Sequence, residues 1–558
     1  MIKKYLLIIS RMINKKLTQD PLFIKHCFTY PQSVQFSAQI EELGTKRLQD
    51  CLILSSAAFC DKDVDNDHLL DGYSWGLIVN ISNVNNCNFI KFYCKKIQED
   101  EDVRVEEVQN KTMKFGLFTG KLPTWKKLLT FGRLPQLLST GRAVERTTAH
   151  QPIFYPAKSQ ASFCSSYTYP SFSILKGDDD QLTIKRAPSF IQSKFNKNHY
   201  TCMHPLYDYH TKTLLTYTFL HSKLNRKTQI WFFSFGEDSK LDPPPIEYSV
   251  EDRLALHMFG FTTNYYIIFA NSLVLEKCGQ TKLIYGKPIL RATNDDYFGD
   301  LIIHFIPRNN DKQAFSVNTK QKGFVYHTIN CFEHPDGSII IDALVSKLNE
   351  SRESSQFELG NHDVYDNEGD PFRFKIIAPP DPHISSKLIA SKIDTSIDFH
   401  CINPRYSGRL YSHWWMVSHQ RERYEDGIFK RTVSKLYHVI VDFEGDAMDY
   451  NPDDTVSNVI SSDEWVGNNR VNEGSVYLRT PTFIPFKYSA DEDEGLLFCW
   501  SYENEGLEYL STNLMIFTSD LKLIKSLGIN AKIPYSVHSY VHLLKGNDIK
   551  YEDDENIK

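Results

Sequence analysis

From about Phe154 to the end, the chain is written in short apolar and aromatic runs, and long helical periodicity is nearly absent. Examples are LLTYTFL (214–220), TQIWFFSF (228–235), NYYIIFA (264–270), LIIHFIP (301–307), SIIIDAL (338–344), KLYHVIVDF (435–443) and GLLFCWSY (495–502). Each run holds apolar, aromatic or β-branched residues, and Gly, Pro, Asn or Asp bound most of them, which is how strands read in a sequence. The aromatic share of 13%, with 36 Phe and 30 Tyr, suits many half-buried strands. Many short strands without βα alternation predict an all-β propeller or a large barrel. The period of roughly 40–45 residues that marks WD repeats is missing, so any blades are irregular and long-looped. No Pro/Gly/Ser-rich linker divides the 558 residues, which favours a single domain.

Charge and cysteine usage exclude several classes. Lys+Arg 63 against Asp+Glu 69 gives a net charge of −6, unlike a protein built to grip a nucleic-acid backbone. The eleven cysteines include no CxxC pair, so they read as buried thiols in a reducing compartment and not as a disulfide framework or zinc site. The N-terminal MIKKYLLIISRMINKK lacks the long apolar core and small-residue cleavage site of a signal peptide. No apolar run approaches the roughly 20 residues that span a bilayer. The expectation is a soluble, cytoplasmic protein, peripherally associated with a membrane. The segment GKLPTWKKLLTFGRLPQLLSTGR (120–142) is the candidate contact: five cations and no acid accompany apolar residues at helical spacing, among them Trp125, Leu128, Leu129 and Leu138. The alternative is a helix packed against the sheets.

Several familiar motifs fail. DKDVDNDHLLDG (61–72) spaces its acids like a calcium loop but puts Asn66 where glycine is needed and Gly72 where glutamate is needed. GQTKLIYGK lacks P-loop spacing, and HExxH, GxSxG and a strand-borne GxGxxG are absent. Of 19 histidines, four stand in distinctive contexts: His204 in YTCMHPLYDY, His257 in LALHMFGFTTNYYIIFAN, His327 in GFVYHTINCFEHPDGSIIIDAL and His538 in INAKIPYSVHSYVHLL.

Those contexts resemble the carotenoid cleavage oxygenase family, which includes carotenoid and apocarotenoid oxygenases and a retinoid isomerase. The similarity lies in His204-Pro205, in His257 with Phe259, Thr262 and Asn264-Tyr265, in Tyr326-His327 with Asn330, Glu333 and Asp342, and in Ile533-Pro534 before His538. INPRYSGRLY (402–411) and SADEDEGLL (489–497) are similar to further family segments. The match runs in order from about residue 70 to residue 543.

The resemblance implies a seven-bladed β-propeller with a helical and loop cap over an axial iron site. It implies an N-terminal extension over 1–40, one oxygenase domain over 41–545 and a polar tail over 546–558. It implies that His204, His257, His327 and His538 hold one non-haem Fe(2+), a role that suits neutral imidazoles and leaves two coordination positions open. No catalytic residue beyond that iron centre is implied. The implied reaction is cleavage of a carotenoid or apocarotenoid C=C bond by molecular oxygen into two carbonyl products. The partners are thus the polyene, oxygen and a membrane surface, with no nucleic acid. Carboxylates that orient the histidines in this family match Asp180 and Asp398, and a third position falls on Thr480, where the family has glutamate. DCLILSSAAFCDKD (50–63), HLLDGYSWG (68–76) and TTAHQPI (147–153) depart from the family's front-end pattern. The overall style is most similar to fungal members.

The alternative is an isomerising or catalytically weakened polyene-binding paralogue, which Thr480 and the altered front end favour. A glycosidase propeller needs paired carboxylates, and none has a compelling context. An interaction propeller of the WD kind lacks its repeat signature.

Overall fold

In the computed structural model the described residues are His26 and 31–551. Excepted are 44–45, 60–72, 85–86, 97–112, 116–142, 146–151, 164–170, 179–180, 188–199, 222–226, 239, 242–243, 252–253, 255, 271–272, 276–289, 293–299, 310–311, 347–368, 379–381, 394–396, 426–428, 442–444, 467–473, 505–509 and 546–547. Among the described residues strands dominate and helix is nearly absent, Ser462–Val466 being an α-helix of only five residues.

Seven antiparallel sheets of four or five strands follow one another along the chain and form the blades of a propeller. From the inside outward, blade 2 runs Pro152–Tyr155, Gln160–Phe163, Ser171–Lys176 and Leu182–Ala187. Blade 3 begins with Tyr200–Thr201 and Leu206–Asp208, which share the neighbour Thr213–His221. Blades 4, 5 and 6 begin with Gly260–Phe261, Phe324–Glu333 and Ile397–Ile402. Blade 7 begins with Val476–Leu478 and Thr482–Pro485, both paired to Gly495–Glu503. Blade 1 takes its first strand from the far end of the chain: Tyr535–Leu543 pairs with Cys51–Phe59, outside which lie Tyr73–Val84, Cys87–Lys96 and Val34–Ile40. The blade strands reach past both ends of the 41–545 span, since Val34–Ile40 edges blade 1 and Lys550–Tyr551 pairs with Ser171–Lys176 of blade 2.

The core lies between blades. One cluster joins blades 7 and 1 through Trp500, Phe92 and Tyr535; others join blades 1 to 3, 3 to 4, 4 to 5, 5 to 6 and 6 to 7. A middle strand is therefore covered on both faces: Ile339–Ser346 and Gly495–Glu503 are buried at every position. Outer strands such as Phe315–Lys322 alternate between buried and exposed. That difference is why the middle strands stand out in the sequence as continuous apolar runs. Each fully buried Phe or Leu adds roughly 1.5–3 kcal/mol relative to exposure.

Candidate metal centre

The first strands of the blades ring the axis, and the four singled-out histidines lie on or beside four of them. His538 lies in Tyr535–Leu543 of blade 1, and His327 in Phe324–Glu333 of blade 5. His204 lies between the two short first strands of blade 3, and His257 just precedes Gly260–Phe261 of blade 4. Ordinary strand pairing would point each residue at a blade neighbour. Here the ladders break beside the histidines. The Cys51–Phe59 pairing shifts register between Ser56, opposite His538, and Ala57, opposite Ser536. In blade 5 the register jumps from Val325 to Thr328, so Tyr326 and His327 face one residue of the partner strand. Such bulges bend a strand and re-aim a side chain, which is how these imidazoles come to face the axis.

The blades meet tightly at this point. A Cβ on Gly260 would sit 2.3 Å from Cys331 Sγ, so only glycine lets blade 4 lie this close to blade 5. Backbone pairing of His204 with Met258 joins blades 3 and 4. The Tyr217 hydroxyl donates to the His257 carbonyl at 2.9 Å and fixes that turn. Thr262 Oγ1 and Asn264 Nδ2 donate to the Glu333 carboxylate at 2.7 and 2.6 Å, tying blade 4 to blade 5. Asn330 Nδ2 donates to the carbonyls of Tyr406 and Arg409 while its Oδ1 accepts from Gly408 N, tying blade 5 to blade 6.

The imidazoles form one cluster. His204 Nε2 stands 2.9 Å from His257 Nε2 and 3.3 Å from His327 Nε2. Ligand nitrogens of these three lie within 4.8 Å of one another. The His538 ring lies 4.6 Å from His204 and 5.1 Å from His327, centroid to centroid. Each neutral ring nitrogen is either a donor or an acceptor, so His204 Nε2 can form one good hydrogen bond with these two neighbours and must face the other without one. A cation among the nitrogens removes that conflict. With metal–imidazole bonds of about 2.1 Å, nitrogens at right angles stand about 3 Å apart, close to the 2.9 and 3.3 Å of the two pairs that His204 makes. The donor set fits a divalent transition metal.

Two nearby thiols do not compete for such an ion. Burial pushes the Cys202 thiol up to about 12 and Cys401 well above its ordinary value, so both stay protonated. Below the histidines a cavity runs along the axis between Tyr207, Ile402, Thr480, Tyr540 and Val541. Thr480 is buried and lines this cavity together with His538. Asp398 sits in Ile397–Ile402, at a register shift between Ile397 and Phe399. Asp180 and the segment with Trp125, Leu128, Leu129 and Leu138 lie outside the described residues. One cavity residue was not anticipated as such. His400 donates from Nε2 to the Thr328 carbonyl at 2.9 Å and lines the cavity with His204, His327 and His538. The signal was available: it lies two residues after Asp398, in the same strand Ile397–Ile402.

An all-β ring of seven blades with a histidine cluster on its axis defines a class of metal-binding propeller, and comparison with known proteins narrows it. The model of the family described as retinal pigment epithelial membrane protein matches residues 63–540, and the chain belongs to that family. Among curated proteins no sequence relative matches. An ACO/RPE65 chimera superposes with a TM-score of 0.69 at 16% identity, covering 94% of this chain and 100% of the other. A mutant of Synechocystis apocarotenoid oxygenase gives 0.70 at 15% identity, over 94% and 100%. The cobalt-substituted form of the Synechocystis enzyme gives 0.66 at 15% identity, over 94% and 98%. These likenesses bear out the propeller expected from the sequence. Among the described residues no helix is long and apolar enough to cross a membrane.

Proposed function

We propose that this protein is a non-haem Fe(2+) oxygenase that cleaves a C=C bond of a carotenoid or apocarotenoid with O2, giving two carbonyl products. The observation that carries this reading is the convergence of the His204, His257 and His327 Nε2 atoms on the axis, with the His538 ring against them. His204, His257, His327 and His538 would hold the iron, and the bulged strands and blade-joining hydrogen bonds would keep their rings oriented. When bound, ferrous iron supplies the means to activate O2 for insertion across an electron-rich double bond. The chain's own part is binding and exclusion: the apolar walls at Tyr207, Ile402 and Val541 keep bulk water away and hold a polyene in line. Asp180 and Asp398 would accept the outer N–H groups of ligand histidines. A membrane surface is the natural source of so insoluble a substrate, with Trp125, Leu128, Leu129 and Leu138 as its contact.

One observation favours a second reading, an isomerising or weakened polyene-binding paralogue. Thr480 brings a hydroxyl and no negative charge to the side of the cavity where His538 stands. A ligand histidine without a carboxylate partner is less basic and holds its metal less firmly. Iron-loaded protein incubated with carotenoids and apocarotenals, with products identified by mass, separates the two. Oxygen-dependent aldehydes support cleavage, whereas a geometric isomer of unchanged mass supports isomerisation. Neither product with any polyene, from protein of full iron content, overturns both.

A further inference from the structure

The first strands that carry His538, His204 and His400 all run the same way down the axis, and their far ends surround a second cavity. It is lined by Leu543, Leu544 and Lys545 from blade 1, Tyr209 and His210 from blade 3, and Arg405 and Arg409 from blade 6. Tyr209 lines both this cavity and the one below the histidines, so the two lie end to end. At roughly 3.3 Å per residue, the mouth is about 20 Å from the metal centre along the His538 strand.

Its charge is set apart from that of most of the molecule's inner arginines. Arg373 has Asp342, Arg431 has Glu422 and Asp463, and Arg308 has Asp208, while Arg479 is sealed in the core on the Ser536 carbonyl and the Tyr535 hydroxyl. Arg405 is half-buried, yet its partners are all neutral: the carbonyls of Ser489 and Phe486 and the Gln49 side-chain oxygen, at 3.2, 3.3 and 3.3 Å. Burial works against its charge, and no described acid offsets that cost. Arg409 has one partner, Thr263 Oγ1 at 3.1 Å. Two guanidinium groups, one of them clamped in place by three acceptors, thus line a cavity of about 560 Å³ with no carboxylate of their own among the described residues, while the third cation there, Lys545, is paired with Glu237.

We propose that this mouth binds a small soluble oxyanion, a carboxylate or a phosphate, on Arg405 and Arg409. Planar guanidinium groups match both oxyanions in shape and charge. Gln49 and the blade 7 carbonyls hold Arg405 ready, so little is lost in ordering it on binding. His210 lies exposed beside them. The site is independent of the iron reading, because it needs no metal and sits at the opposite end of the axis.

The test uses the full chain, titrated by calorimetry with inorganic phosphate and separately with acetate at constant ionic strength set by sodium chloride. One saturable site is expected for at least one of them, and the two titrations tell a phosphate site from a carboxylate site. Arg409→Gln should weaken that binding by at least about tenfold. Because Arg409 makes a single hydrogen bond to exposed Thr263, this variant should keep the parent's melting temperature and iron content. Arg405→Lys, which keeps the charge but loses the fork, should also weaken binding. Absence of saturable binding with both anions, or equal affinity in Arg409→Gln, overturns the proposal.

Discussion

Asp342 offers the sharpest test of how the blades are held together. Its carboxylate is fully buried and accepts from Arg373 Nε at 2.8 Å, from Arg373 Nη2 at 2.6 Å and from the Tyr411 hydroxyl at 2.7 Å. Arg373 is itself buried, between the rings of Phe332 and Tyr450, and no water reaches its charge. Asp342→Asn keeps the shape but leaves that guanidinium unpaired, and breaking a buried pair in this way costs about 3–5 kcal/mol. The surface pair of Lys525 and Glu42 at 2.7 Å is the internal control; Glu42→Gln should cost at most about 1 kcal/mol. Urea unfolding followed by tryptophan fluorescence measures both. The same reasoning predicts that Asp342→Leu combined with Arg373→Met recovers most of the loss, since no charge is then buried. A single substitution as mild as Glu42→Gln, or a double one as harmful as Asp342→Asn, would refute the argument.

Replacing any one of His204, His257, His327 and His538 with Ala should cut iron content and turnover together; full iron occupancy in two or more of the four would sink the assignment. Asp398→Ala, like Asp180→Ala, should weaken metal binding by on the order of 10–100-fold, read by competition with a chelator, and Thr480→Glu should keep or raise activity. Leu128, Leu129 and Leu138 changed together to Ser should lower liposome binding and slow membrane-delivered turnover, with detergent-delivered turnover unchanged; binding equal to the parent's assigns the segment a structural role. Burial, with a smaller effect from His413, lowers His438 from 6.5 to about 3. The unfolded chain therefore takes up this proton first, and stability is lost as pH falls below about 6.5, by on the order of 2 kcal/mol between pH 7 and 5. Urea midpoints should show a flatter acid limb for His438→Gln, and an unchanged limb would contradict that assignment.

The middle strands of the blades were legible because burial on both faces writes them as unbroken apolar runs. The outer strands were harder to see: Phe315–Lys322 has lysines at two of its eight positions and borrows its order from the neighbour it pairs with. The four histidines were found by context, and the context residues now have physical jobs. Thr262, Asn264 and Glu333 form one network between blades 4 and 5, Asn330 pins the loop around Gly408, and Glu492 accepts from the Ser412 and His413 backbone. Gly408 has φ +77° and lies so close to Phe261 that a Cβ would meet its ring at 2.4 Å. What could not be read was the set of register shifts that aims the histidines, because a bulge depends on which residues of a partner strand it faces, and that strand lies just ahead in the chain for His327 and hundreds of residues away for His538. His538 illustrates the point: its bulge is defined against Ser56 and Ala57. The cationic mouth was equally hidden, since Arg405, Tyr209 and Lys545 meet only when the ring closes.

That closure carries a consequence for how the protein is made. Tyr535–Leu543 supplies both the strand that seals blade 1 and the last of the four imidazoles. A nascent chain that has emerged as far as blade 7 has the consecutive strands of six blades in hand and a seventh sheet missing its innermost strand. At that stage Cys51–Phe59 presents an unpaired apolar edge, open to partners on other chains. The three earlier histidines are already translated, but the wall that would complete their cluster is not. Completion of the histidine cluster and sealing of the ring are thus a single late event, and a premature stop codon anywhere before the end of Tyr535–Leu543 should be as damaging as one near the start.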